Sequence, residues 1–216
     1  MTKRLLDLFC KAGGAGVGYA EAGFEVVGVD IDPQKNYPFE FHQADALTFP
    51  LDGFDVVHAS PVCKRWTTGA ARWGRSENHP DQIGVMRDRL RAAGVPYVIE
   101  NVPGAPLLDP ITLCGVMFGL GVFRHRCFEI AGAVVTAPVH VEHDGRIGDG
   151  KYHTVAGHSG GSSKRDGWVG GVADEWRKAM DIGWMTRDEL AQAIPPAYTE
   201  HIGRQILAQI TPNSEA

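Results

Sequence analysis

Long apolar runs are missing from this chain of 216 residues. No stretch approaches the ~20 consecutive apolar residues that a membrane-crossing helix needs, so a transmembrane helix is ruled out and no membrane partner is expected. The opening Met1-Thr2-Lys3-Arg4-Leu5-Leu6-Asp7 meets an acid too early for a secretory leader, and a cytoplasmic location is expected. Cysteine is scarce. Cys10, Cys63, Cys114 and Cys127 are scattered with no CxxC pair, which argues against a zinc knuckle or thioredoxin motif and for reduced thiols. Cations are not in excess either: the net charge of −5 gives no global nucleic-acid signal. There is no internal repeat, no GxGxxG dinucleotide fingerprint and no HExxH metal helix. His140, His143, His153 and His158 fit no helical metal spacing and have no cysteine among them. They read as loop residues or phosphate contacts, and no metal is expected.

With 44% hydrophobic and 22% charged residues, the chain has the apolar share of a folded domain, and its length suffices for a core without disulfides. Short apolar runs alternate with Gly-rich or polar breaks. Leu5–Phe9, Val26–Asp30, Asp55–Ala59 and Tyr97–Glu100 read as strands, and Val17–Ala22 and Gln82–Ala93 as helices between them. Continuous Val/Ile/Leu strands joined through helices predict a mostly parallel central sheet in an α/β, Rossmann-like fold. Thr186 and Glu189 form a capping-box pattern that starts a helix, Pro195-Pro196 interrupts it, and a last amphipathic helix runs from Tyr198 to Ile210. Residues 131–179 are rich in Gly, His and Ser and carry no long period. They read as a small lobe or loop insertion, set into a unit of residues 1–130 plus 180–210.

Three patches carry chemistry. A strand followed by Gly13-Gly14-x-Gly16, a helix, and a second strand ending in Asp30 is the layout of a nucleoside cradle. The glycines let the backbone approach a ligand, and Asp30 is placed to hold ribose hydroxyls. Asp45 follows where it could reach an adenine. Cys63 lies just past a strand end, the edge where open parallel sheets bind ligands. Lys64 and Arg65 beside it are expected to pull its pKa below that of a free thiol. From Lys64 to Arg91 seven basic residues face three acids, a local excess of +4, with Trp66 and Trp73 interleaved. Such a patch can neutralise phosphates and stack on bases. Glu100 ends the next strand at the same edge, where burial would raise its pKa toward a proton donor near neutral pH.

Taken in order, these segments resemble the DNA (cytosine-5) methyltransferase family in a short form. Asp7-Leu8-Phe9-Cys10-Lys11-Ala12-Gly13-Gly14 is similar to D-L-F-x-G-x-G-G, Val29-Asp30 to the ribose motif and Ala44-Asp45-Ala46 to the adenine-side motif. Ser60-Pro61-Val62-Cys63 is similar to the nucleophile motif, Glu100-Asn101-Val102 to E-N-V, and Arg124-His125-Arg126 to R-x-R. Gln192-Ala193-Ile194-Pro195-Pro196 is similar to N-A-V-P-P. The resemblance covers roughly residues 5–130 and 185–208.

It implies a Rossmann-like, S-adenosylmethionine-dependent enzyme that flips cytosine out of DNA and methylates carbon 5 through a covalent cysteine adduct. Cys63 would be the nucleophile, Glu100 would protonate or hydrogen-bond N3, and Arg124 and Arg126 would orient the base. Phe9, Cys10, Lys11, Ala12, Gly13, Gly14, Asp30, Ile31, Asp45, Ala46, Pro61, Gln192, Ala193 and Ile194 would line the cofactor. Lys64, Arg65, Trp66, Arg72, Arg75, Lys164 and Arg165 would contact nucleic acid. DNA is the expected partner of a monomeric protein. Methylation of RNA or of a free nucleotide, and a binding protein without turnover, are alternatives. Lys11 and Lys64 replace the family's usual glycine and glutamine, Val62 its proline and Gln192 its asparagine. The segment available for target recognition is also short.

Overall fold

The computed structural model describes residues 2–63, 66, 81–145, 151–155 and 173–211. Its frame is one seven-stranded sheet, ordered β3-β2-β1-β4-β5-β7-β6. The strands are β1 (Arg4–Leu8), β2 (Glu25–Asp30), β3 (Glu40–Gln43), β4 (Val56–Ala59), β5 (Tyr97–Asn101), β6 (Ile111–Leu113) and β7 (Arg126–Ala131). The first five run parallel, and β7 pairs antiparallel with both β5 and β6. This is the expected mostly parallel, Rossmann-like α/β architecture. Both faces of the central strands are covered, which is why Leu5, Leu6, Leu8, Val56, Val57, Val98 and Ile99 are wholly buried. Each such side chain contributes about 1.5–3 kcal/mol.

Helix α1 (Gly14–Ala22) follows β1, and α2 (Ile83–Ala93) precedes β5. Ile83, Met86 and Leu90 turn inward from α2. The outward arginines are largely committed: Arg87 pairs with buried Glu129 at 2.7 Å, and Arg89 donates to the carbonyls of Ala46 and Phe49. Two of the cations counted in the basic patch are therefore structural ties. Further α-helices among the described residues are α3 (Ala173–Met180), α4 (Arg187–Gln192) and α5 (Pro196–Ile210). Thr186 and Glu189 cap α4 reciprocally, as their spacing predicts. Pro195-Pro196 starts α5 instead of ending a helix, since proline at the first helical positions forfeits no hydrogen bond.

The carboxy-terminal segment folds back on α1. A Cβ on Gly14 would lie 2.4 Å from the Ile194 carbonyl, so only glycine admits that contact. Thr199 donates to the Ala15 carbonyl at 2.8 Å, and Trp184 Nε1 to that of Ala12 at 2.9 Å. Of the 131–179 segment, residues 134 and 136 hydrogen-bond to Gln209 and Gln205 of α5. Trp176, Ala179 and Met180 of α3 share a core cluster with Ala12 and Val122.

Candidate active site

Parallel strands bring their carboxyl ends to one edge. The turn after β1, Asp30 at the end of β2, the loop after β4 and the end of β5 all open there. Because β7 is antiparallel to β5, with Asn101 opposite Cys127, the Arg124–Arg126 segment that leads into it reaches the same edge. The loop after β4 is tied on both sides. Ser60 N donates to the Leu8 carbonyl at 3.1 Å, and Asn101 Nδ2 to that of Pro61 at 3.0 Å. Cys63 follows, half-buried.

Glu100 is buried, and Arg126 Nε lies 3.0 Å from its Oε1. Burial raises the Glu100 carboxyl above its ordinary range against the pull of Arg126, Arg124 and a hydrogen bond from Ser60. Burial and then the Glu100 charge push the Cys63 thiol up, while Arg126 and Arg124 pull it down. That direction is opposite to the one expected from Lys64 and Arg65, which lie outside the described residues. Among the described residues, the cations that act on the sulfur are Arg126 at the start of β7 and Arg124 in the turn before it, and a carboxylate opposes them.

A buried chain of hydrogen bonds backs Glu100. Tyr19 Oη lies 3.0 Å from His58 Nδ1, and His58 Nε2 lies 2.9 Å from Ser60 Oγ. With Ser60 donating to Glu100, its oxygen accepts from Nε2–H, and Nδ1 is left to accept the Tyr19 hydroxyl. Burial holds His58 neutral, lowering its pKa to about 3. Sequence reasoning missed this network. Its signal was a histidine in the middle of the otherwise apolar strand Val56–Ala59.

Arg124 does not stand where a base-orienting residue would. Its Nε, Nη1 and Nη2 donate to the carbonyls of Ala193, Val155 and Ala191 at 2.8, 2.6 and 2.9 Å, and Tyr198 Oη donates to its own carbonyl. Burial pulls its pKa down, yet three acceptors that bond only N–H groups hold the guanidinium charged. Its backbone sits in the left-handed region at φ 30°.

On the cradle side, Asp30 is buried, and Ile31 beside it is 66% exposed, an apolar face at the strand end. Phe9 and Lys11 both take left-handed φ values, 60° and 46°. Lys11 stands where the resembled motif has glycine, and its Nζ lies 3.2 Å from Asp30 Oδ1 and 3.3 Å from Asp32 Oδ2. Cys10 and Ala12 are buried under the turn, and burial raises the Cys10 thiol well above its ordinary range. Gly13 caps α1 at φ 83°, where glycine alone is unstrained. Beneath the turn, burial raises the Asp7 carboxyl to about 8.

Asp45 is exposed and caps the backbone of Leu47, with Ala46 buried behind it. Gln192 reaches back to the Asp188 carbonyl, while Ala193 and Ile194 are buried against α1. Trp66, half-buried, packs on the core cluster that contains Ile83 and Met86, and its amide donates to the Cys63 carbonyl. It is thus placed as a packing residue of the loop. Arg72, Arg75, Lys164 and Arg165 lie outside the described residues. A cavity of about 460 Å³ elsewhere, lined by Leu120, Val141, Lys151 and Tyr152 among others, touches none of the expected site residues.

No family model and no curated protein sequence matches this chain. Solved structures do. The prophage-encoded E. coli protein described as a DNA modification methyltransferase superposes with a TM-score of 0.63 at 14% identity, covering 96% of this chain and 99% of the other. The Entamoeba histolytica methyltransferase EhMeth gives 0.66 at 11% identity, covering 98% and 99%. The S. pombe Dnmt2 methyltransferase gives 0.61 at 13% identity, covering 98% and 100%. Across nearly its whole length, the chain is built on the fold that these methyltransferases share.

Proposed function

We propose that this protein is an S-adenosylmethionine-dependent methyltransferase that acts on carbon 5 of cytosine in DNA through Cys63. The observation that carries the reading is the meeting of a loop thiol, a buried carboxyl and a guanidinium from three separate elements at the sheet edge beside the glycine turn. The similarity in fold to the prophage-encoded DNA modification methyltransferase supports the choice of substrate.

The cradle suits the cofactor. Asp30 is a buried carboxylate that accepts hydrogen bonds from Lys11 and the Asp32 amide, and the exposed Ile31 offers a flat apolar face to a purine. Bound there, S-adenosylmethionine would supply an electrophilic methyl group. The rest falls to the chain. The Glu100 charge hinders ionisation of the Cys63 thiol, and a proton moved from the sulfur to Glu100 removes that opposition. With the proton on Glu100, the thiolate faces Arg126 without an opposing carboxylate, and the acid is ready to donate to N3. Addition of the Cys63 sulfur to carbon 6 then makes carbon 5 nucleophilic, while Glu100 keeps negative charge from building on the ring. Arg126 holds the carboxyl in place and would meet the base. Arg124 positions it by locking the turn to the carboxy-terminal segment.

Duplex DNA containing 5-fluorocytosine, incubated with cofactor, tests this directly. A denaturation-resistant protein–DNA adduct that Cys63→Ser abolishes is expected. If neither DNA, RNA nor free dCMP bearing the fluorinated base is trapped, the enzymatic reading is overturned. If only RNA or the free nucleotide is trapped, the chemistry stands and the substrate is corrected.

A further inference from the structure

Behind the Arg124–Arg126 turn, four residues from three neighbouring segments of the chain converge. The ligand-type atoms of Cys114, His125, His140 and His143 all lie within 4.8 Å of one another. Cys114 is buried and directly follows β6, at the start of the short 3-10 helix Gly115–Phe118. His125 sits between the two arginines, and His140 and His143 come from the strap that crosses to α5. Cys114 Sγ and His143 Nε2 are 3.4 Å apart. The His143 ring is stacked flat on Phe123, with centroids 3.8 Å apart and planes 4° apart, and Phe123 in turn packs on Tyr152. The His125 and His140 rings are nearly parallel at 5.6 Å. Sequence reading expected no metal because no cysteine lies near the later histidines. The fold brings Cys114 and His125 to them.

From these positions we infer that Cys114, His125, His140 and His143 form a tetrahedral structural zinc site. A zinc ion bound by one sulfur and three nitrogens, at bond lengths of about 2.0–2.3 Å, sets its ligand atoms about 3.3–3.6 Å apart. The Cys114–His143 distance already has that value, and small side-chain rotations bring in the others. The donor set selects the metal. One thiol and three imidazoles without a carboxylate suit zinc and exclude magnesium and calcium, which require oxygen. Four protein ligands leave no open position, so the ion is structural. Binding converts the Cys114 thiol to thiolate, with its proton released to solvent, and leaves the imidazoles neutral.

The site clamps three otherwise separate pieces: the end of β6, the Arg-His-Arg turn and the strap. The turn contains the left-handed Arg124, whose side chain ties it on one side, and the metal adds a hold at His125. Fixing His125 fixes the peptide next to Arg126, whose guanidinium rests on Glu100. That last link rests on the proposed function, whereas the metal site does not.

Elemental analysis of the untagged full-length protein tests the inference without any activity readout. About one zinc per chain is expected. Cys114→Ser and the surface variant His140→Ala should each fall to a small fraction of that, with His153→Ala unchanged as a control. Cobalt added to the metal-stripped wild type should give the strong visible bands of tetrahedral cobalt, with a near-ultraviolet thiolate band that Cys114→Ser removes. Because His140 is exposed, its variant reports on ligation even if Cys114→Ser misfolds. Zinc content that is the same in wild type and His140→Ala, or a stripped wild type that gives no tetrahedral cobalt spectrum, overturns the site. Neither result depends on methyl transfer, so the two proposals fail separately.

Discussion

Replacing His58 by glutamine probes the buried network behind Glu100 through its linkage to pH. The imidazole is wholly buried between Tyr19 and Ser60, and its pKa falls from an ordinary 6.5 to about 3. Below pH 6.5 the unfolded chain binds a proton there that the folded chain refuses until about pH 3. The depressed folded-state value therefore means that stability is complete above pH 6.5 and lost as the pH falls between these limits. At pH 4.5, two units below the unfolded value, the cost is about 3 kcal/mol. Glutamine can give and accept one hydrogen bond each but takes up no proton. Urea unfolding of both proteins at pH 7.5 and 4.5 separates the effect. Wild type should lose about 3 kcal/mol more than the variant across that interval, while Asp7 and the surface carboxylates largely cancel in the difference. Parallel pH profiles for the two proteins would refute a neutral, buried His58 and with it the directed chain to Glu100.

Two further substitutions probe the site's flanks. Lys11→Gly removes a left-handed lysine and releases Asp30 to accept ribose hydroxyls. Relief of about 1 kcal/mol of backbone strain is mostly offset by glycine's freedom in the unfolded chain, so Tm should barely move. Affinity for S-adenosylhomocysteine by calorimetry should rise several-fold, and a fall would place the Lys11 ammonium on the cofactor instead. Arg124→Ala leaves the carbonyls of Ala191, Ala193 and Val155 without their partner and should cost about 2–4 kcal/mol in denaturant unfolding. Arg124→Lys should recover only part of that, because an ammonium cannot reach three divergent acceptors. Full recovery by lysine would show that charge, and not the fork, holds the turn.

The central strands, the glycine turn, the α4 cap and the order of the site segments were legible in the residues alone. Each rests on local physics: a parallel strand covered on both faces must be a continuous apolar run, a left-handed turn calls for glycine, and a helix start calls for a hydroxyl with a carboxyl three residues on. What only the tertiary structure decided depends on groups far apart in sequence. In the sequence Arg87 reads as a cation of the basic patch and Arg124 as a residue that orients the base; in the fold Glu129 holds the first and carbonyls of the carboxy-terminal segment the second. The upward shift of the Cys63 thiol was set by burial and then by Glu100, with Arg126 opposing them from across the sheet edge. The meeting of Cys114 with His143 follows from where β6, β7 and the strap end. Periodicity carries nothing about such encounters, because side chains on different elements meet only after the sheet has ordered its strands and fixed their direction.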